Sequence, residues 1–341
     1  MDRSVPSRRA VLSGLSGTAA GCAVPGLGDP QGGGLAAVLD FAMARRSTGV
    51  LVGRGGETLA ERYAPGWGPD RPREVASVAK SLLAVLIAMA IEDGAISGFD
   101  QRAADFIPAW REDARARITL HHLMSMTSGL DDAGLALRDV SGDQFAINAA
   151  APLRHVPGTR WAYNTAAYHL LFHILARGVG EAVEAWASRR LLRPLGMANT
   201  SWITSPGRGR QGSVTNYYSA RSTARDLARF GELVRGEGVW RGRRLMRAAS
   251  LRTLLSASQG LNPSYGLLWW LNAEPGQDAF GRGPGLRFPS APRDTVAALG
   301  AGGQMVLIVP SRRLIVVRQG EPPGSADFAE ELLTRTVRAG A

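Results

Sequence analysis

From Ser77 to Gly94 the chain runs Ser77-Val78-Ala79-Lys80-Ser81-Leu82-Leu83-Ala84-Val85-Leu86-Ile87-Ala88-Met89-Ala90-Ile91-Glu92-Asp93-Gly94. Neither Pro nor Gly interrupts it before Gly94, and Ala, Leu and Met are strong helix formers. The run therefore predicts a helix over 77–93 that stops at Gly94. Its sides are almost all apolar, so the helix has to be largely buried, with the rest of the chain built around it. Within it lies the only lysine: of the 40 basic residues, one is Lys and the rest are Arg. Lys80 follows Ser77 by three positions, which puts both on one helical face. A buried amine can give up its proton, whereas a guanidinium does not. A hydroxyl beside such an amine, at the positive end of a helix, has the makings of an activated nucleophile.

Other properties narrow the function. The formal charge of +11 raises the question of nucleic acid. The Arg residues are scattered, however, and no groove-reading helix or stacking aromatic motif accompanies them, so no nucleic-acid partner is expected. A chain of 341 residues with 45% hydrophobic content suits one large domain or two lobes. Ser7-Arg8-Arg9-Ala10-Val11-Leu12 is similar to a twin-arginine export motif, and the small apolar segment from Ala10 to Ala20 is too short to span a bilayer. Ala19-Ala20-Gly21-Cys22 resembles a lipobox, in which Cys22 would carry a lipid anchor. Cys22 is the sole cysteine, so no internal disulfide can form. Residues 1–34 are thus expected to be an export signal and linker, and the mature protein to be periplasmic or extracellular.

Leu35 to Arg46 has helical spacing of apolar residues, and residues 49–53 and 58–63 read as a hairpin. Thr119 can cap a short helix running to Met126. Around Pro157-Gly158-Thr159-Arg160-Trp161-Ala162-Tyr163-Asn164-Thr165 a turn and an aromatic segment lead into a helix from Thr165 to about Gly178. Tyr163 stands just ahead of that helix, where positive potential favours a phenolate. His169 and His173 are four apart on it, but without a neighbouring Glu or a third ligand they do not make a metal site. The adjacent His121 and His122 make no metal pair either, and neither a metal nor an organic cofactor is expected. Residues 222–236 read as an amphipathic helix, 265–271 as a strand, and 295–299, 303–309 and 313–319 as the closing strands of an antiparallel sheet. A last helix covers 326–339.

Taken together, these segments resemble the serine beta-lactamase and penicillin-binding-protein superfamily. The likeness is to the branch that holds class C beta-lactamases, DD-peptidases, related esterases and 6-aminohexanoate-dimer hydrolase. Ser77-Val78-Ala79-Lys80 matches S-x-x-K. Ile118 to Leu130 matches a pattern ending in T-S-G-L, and Pro157 to Tyr168 a P-G-x-x-(aromatic)-x-Y segment. Pro194-Leu195-Gly196-Met197, Ala224-Arg225-Asp226-Leu227, Tyr265-Gly266-Leu267 and Ala298-Leu299-Gly300-Ala301-Gly302-Gly303-Gln304 follow in the branch's order. The resemblance implies an alpha/beta (α+β) fold over 35–341: an antiparallel sheet flanked by helices, with a largely helical lobe at about 98–220. It also implies that Ser77 is acylated, Lys80 and Tyr163 handle protons, and the backbone N–H groups of Ser77 and Ala301 form the oxyanion hole. Thr165, Gly300 and Gly302 would contact the substrate.

Two departures bear on the substrate. Tyr163-Asn164-Thr165 has Thr where class C enzymes carry Asn, and Thr cannot offer both an amide donor and an amide acceptor. Ala298-Leu299-Gly300 lacks the Lys or His that meets a beta-lactam or D-Ala-D-Ala carboxylate. The expectation is therefore an exported serine esterase or amidase acting on a small ester, amide or peptide-like molecule. A beta-lactamase or DD-peptidase on the same scaffold is the first alternative, and a non-catalytic binding or sensor protein the second.

Overall fold

The helix predicted at the centre is there: in the computed structural model every residue from Val78 to Ala90 is buried. The structure describes residues 34–132, 142–210, 212–277 and 286–340. The segment Ser7 to Leu12, expected to be an export motif, and Cys22 lie outside the described residues.

In chain order, α1 (Gly34–Met43) leads into the hairpin β1 (Ser47–Arg54) and β2 (Glu57–Tyr63). A short β3 (Arg73–Glu74) precedes α2 (Val78–Glu92), and α3 (Leu120–Met124) begins at Thr119, whose hydroxyl accepts from the His122 N–H. Next come α4 (Gln144–Ala149), α5 (Thr165–Val179) and α6 (Val183–Ala187); a π-helical turn, Ser188–Leu192, joins α6 to α7 (Arg193–Leu195). The hairpin β4 (Ser201–Gly209) and β5 (Gly212–Ser222) leads to α8 (Ala224–Arg235), capped by Thr223. A small hairpin, β6 (Val239–Trp240) and β7 (Arg243–Arg244), and α9 (Ala248–Leu254) follow. The chain closes with β8 (Trp270–Leu271), β9 (Val296–Gly300), β10 (Gln304–Val309), β11 (Leu314–Gly320) and α10 (Phe328–Arg338).

The main sheet has the order β2-β1-β11-β10-β9-β8, with every neighbouring pair antiparallel. Side chains alternate across a strand, so Ile315 and Arg318 of β11 face opposite sides. On the Ile315 side, α8 approaches closely at Gly231, where a Cβ would stand 3.2 Å from Ile315. On the Arg318 side lie α1 and α10, with Phe41 and Phe328 stacked at 5.7 Å. The core is continuous through α2 and α5, and α2 packs against β9 and β10, which brings the end of the sheet to the start of the central helix.

Two local expectations are revised. The strand read over 265–271 shrinks to Trp270–Leu271. Leu268 adopts φ 62° and turns away from the sheet. Its N–H donates to the Met124 carbonyl at 3.0 Å, and its carbonyl accepts from Ser81 Oγ at 2.8 Å. The lobe expected to be largely helical also contains the hairpin β4–β5, which pairs with β3 from outside it in a three-stranded sheet of order β3-β5-β4. Pro206, Gly207 and Gly209 weaken the strand signal of β4, which is held by its pairing with β5. No helix among the described residues is long and apolar enough to cross a membrane.

Candidate active site

Ser77 stands at the start of α2, on a bend whose preceding residue, Ala76, has φ 48°. That bend is fastened to β5: Val75 N–H donates to the Ala220 carbonyl at 2.9 Å, and Ser219 Oγ donates to the Ala76 carbonyl at 3.1 Å. A strained turn held by two bonds to β5 presents a half-buried hydroxyl at the start of a buried helix. One turn on, Lys80 is 3% exposed, and its Nζ donates to Ser77 Oγ at 3.2 Å. The amine also lies 4.2 Å from the ring centre of Tyr168 and 5.1 Å from that of Tyr163. Burial pulls its pKa down to about 7, against the pull of the Asp132 carboxylate, which favours the charged form.

Tyr163 reaches the same hydroxyl. Ser77 is near enough to act on the Tyr163 hydroxyl against the effect of burial, and the Tyr163 ring stacks on Trp270 at 6.0 Å and meets Tyr265 edge-on at 6.2 Å. The next residue, Asn164, fixes its place: Asn164 Oδ1 accepts from Ala167 N–H at 2.6 Å, and Nδ2 donates to the Leu130 carbonyl at 2.8 Å. The expectation that the start of α5 favours a phenolate is corrected. Burial pushes the Tyr163 pKa up to about 12. Asp132 also occupies the helix end, accepting from Thr165 N–H at 3.0 Å and Ala166 N–H at 2.8 Å. A carboxylate there masks the helix dipole and disfavours a second negative charge. Tyr163 thus rests as a phenol, and Lys80 is the group that changes charge near neutrality.

Strand β9 ends against the same bend. A Cβ on Gly300 would lie 2.4 Å from the Val75 carbonyl oxygen and 3.0 Å from the Ser77 nitrogen, so this approach requires glycine. Ala301 follows and is exposed, and Gly302 (φ 74°) and Gly303 (φ 75°) complete a turn into β10. Thr165 is the half-buried first residue of α5. Ala298 is buried within β9. The structure brings Ser77, Lys80 and Tyr163 into one cluster, with Gly300 beside Ser77; Cys22 lies outside the described residues.

Sequence reasoning missed Asp132 and Arg287. An acidic pair directly after Gly129-Leu130 was a usable signal for Asp132; the Gly/Pro-rich surroundings of Arg287 gave none. Arg287 lies 4.0 Å from the Trp270 ring centre, and its charge acts on Tyr163 and Tyr265 in the direction opposite to burial. Of the histidines of α5, His169 is buried and His173 half-buried. His169 Nδ1 lies 3.2 Å from Gln144 Nε2, and His173 stacks on Phe145 at 3.5 Å. Burial pulls their pKa values down to about 3 and about 4.

A family model described as Beta-lactamase matches residues 35–335. Esterase EstB of Burkholderia gladioli is 29% identical over 46% of this chain and 45% of its own length. A Homo sapiens beta-lactamase-like protein is 32% identical over 35% of this chain and 28% of its own length. The matched segments thus span less than half of these two relatives. A solved beta-lactamase/D-alanine carboxypeptidase of Pseudomonas syringae superposes with a TM-score of 0.68 at 18% identity, covering 89% of this chain and 99% of that one, a likeness of fold.

Proposed function

The chain belongs to the beta-lactamase family of serine hydrolases, and from that premise we propose that it is an exported esterase or amidase working through a Ser77 acyl-enzyme. One observation carries this reading: the Ser77 hydroxyl is within reach of both a buried, readily deprotonated amine and a neutral phenol. Neutral Lys80 takes the Ser77 proton as Oγ attacks the substrate carbonyl. The backbone N–H groups of Ser77 and Ala301 receive the developing oxyanion. Tyr163 protonates the leaving oxygen or nitrogen and regains its proton from Lys80. Water then releases the acyl group by the reverse relay. Thr165 and the glycines at 300 and 302 contact the substrate. The relationship to an enzyme named as an esterase supports an ester substrate. The Arg-Arg motif and Cys22 support export and lipid anchoring.

Arg287 favours a second reading, a beta-lactamase or DD-peptidase: it brings positive charge towards Tyr163, whereas Ala298 brings none. Intact mass after incubation with p-nitrophenyl acetate, a fluorophosphonate or penicillin G, each compared with Ser77→Ala, separates the readings. Ser77-dependent labelling by the ester and the fluorophosphonate, without penicillin loss, is the expected result. Fast penicilloylation with turnover selects the second reading. No labelling by any of the three overturns both.

A further inference from the structure

Arg318 is 0% exposed, yet it carries a full guanidinium. Burial, helped by the charge of Arg73, pulls its pKa down to about 10, which leaves it charged at neutral pH. Its N–H groups go to a hydroxyl and four carbonyls. Nε donates to Ser47 Oγ at 2.9 Å. Nη2 donates to the carbonyls of Arg45 at 2.9 Å and Glu321 at 2.7 Å. Nη1 donates to the carbonyls of Gly302 at 2.7 Å and Gly303 at 3.2 Å. Three of these bonds tie together the starts and ends of strands. The other two go to the turn that follows Ala301.

That turn would otherwise be soft. Gly302 and Gly303 are consecutive left-handed glycines, which have the widest choice of backbone conformations. The Gly302 carbonyl is held twice, by Arg318 and by Gln304 Nε2 at 3.3 Å. The guanidinium gets this close because nothing projects from its neighbours: a Cβ on Gly303 would lie 2.9 Å from Nη1, and one on Gly320 2.5 Å from Nη2. Upstream, Gly300 is packed against Ser77. The Ala301 peptide is therefore pinned on both sides.

We propose that Arg318 is a positioning residue for acyl transfer: from behind the sheet it locks the Gly302-Gly303 turn so that the Ala301 N–H is held towards the oxyanion that forms on the substrate carbonyl when Ser77 attacks. The proposal rests on the acyl-enzyme reading above. A lysine keeps the charge and loses the planar fork, so Arg318→Lys separates positioning from simple electrostatics. Misplacing an oxyanion donor by a fraction of an ångström predicts about a 10- to 100-fold fall in kcat/KM for p-nitrophenyl acetate. The second readout is the infrared stretch of the acyl carbonyl in the enzyme loaded with a slowly hydrolysed cinnamoyl ester. A weaker oxyanion contact moves that band to higher wavenumber, whereas a merely structural role lowers Tm and leaves the band of folded protein in place. A folded Arg318→Lys variant with wild-type kcat/KM and an unmoved band overturns the proposal. If that variant does not fold, Ser47→Ala, which removes the Nε acceptor far from the substrate, is measured instead. A band shift in the same direction with about a 3- to 10-fold fall is then expected, and no change in either overturns the proposal. A wild-type protein with no Ser77-dependent acyl band overturns the acyl-enzyme reading, and the proposal with it.

Discussion

Lys80 shows how one environment sets both chemistry and stability. Its pKa of about 7 against an ordinary 10.5 means that between these values the unfolded chain holds a proton that the folded chain does not. Lys80 therefore weighs on the fold fully below pH 7, and its cost fades as pH rises towards 10.5. Lys80→Met should raise Tm by several degrees at pH 6 and by far less near pH 10.5, in thermal melts followed by circular dichroism. The same shift predicts that wild-type kcat/KM rises with pH around a midpoint near 7, and that Lys80→Met is inactive throughout. An equal Tm gain at both pH values would contradict the assigned burial cost. Much of this was legible in the sequence, because helix geometry alone places a residue beside the one three positions on. Tyr163 was legible as an aromatic ahead of a capped helix, but its protonation was not: that depends on Asp132, which reaches α5 from another segment.

Among the elements, α2, α5, α8, α10 and the closing strands were readable because periodicity, caps and turn residues are local signals. The β4–β5 hairpin was not, since its polar, glycine-rich strands are held by each other. The Leu268 turn was not, because its hydrogen bonds go to α2 and to the end of α3. Arg318 was invisible for a similar reason: it reads like any other arginine until β1, β11 and the Gly302 turn meet around it. Helix α5 carries its own prediction. Its two histidines, His169 buried and His173 half-buried, have folded pKa values of about 3 and about 4, below the ordinary 6.5. They add to stability above pH 6.5, and that contribution is lost as pH falls from there towards 4. The urea midpoint should fall over this range, and His173→Phe, which keeps a ring against Phe145, should reduce the fall. An identical decline in the variant would assign the acid sensitivity to other groups.

For the whole molecule, the family match over 35–335 predicts that a chain lacking residues 1–33 keeps the wild-type Tm and Ser77 labelling. In cells, the full chain should appear in the exported fraction, and Cys22→Ser should abolish incorporation of radiolabelled palmitate. Cytoplasmic retention of the wild type would refute the export reading. The sheet order has a further consequence, for synthesis. Strand β1 pairs with β11, so Arg54 waits for Leu314, about 260 residues later in the chain. At ribosomal speeds of about 5–20 residues per second, that wait is on the order of 10–50 seconds. Throughout it, one edge of the nascent β1–β2 hairpin stays open, with apolar Val50, Leu51 and Val52 beside it. The sheet cannot close before its last strands emerge, so until then that edge is a template open to pairing with other chains.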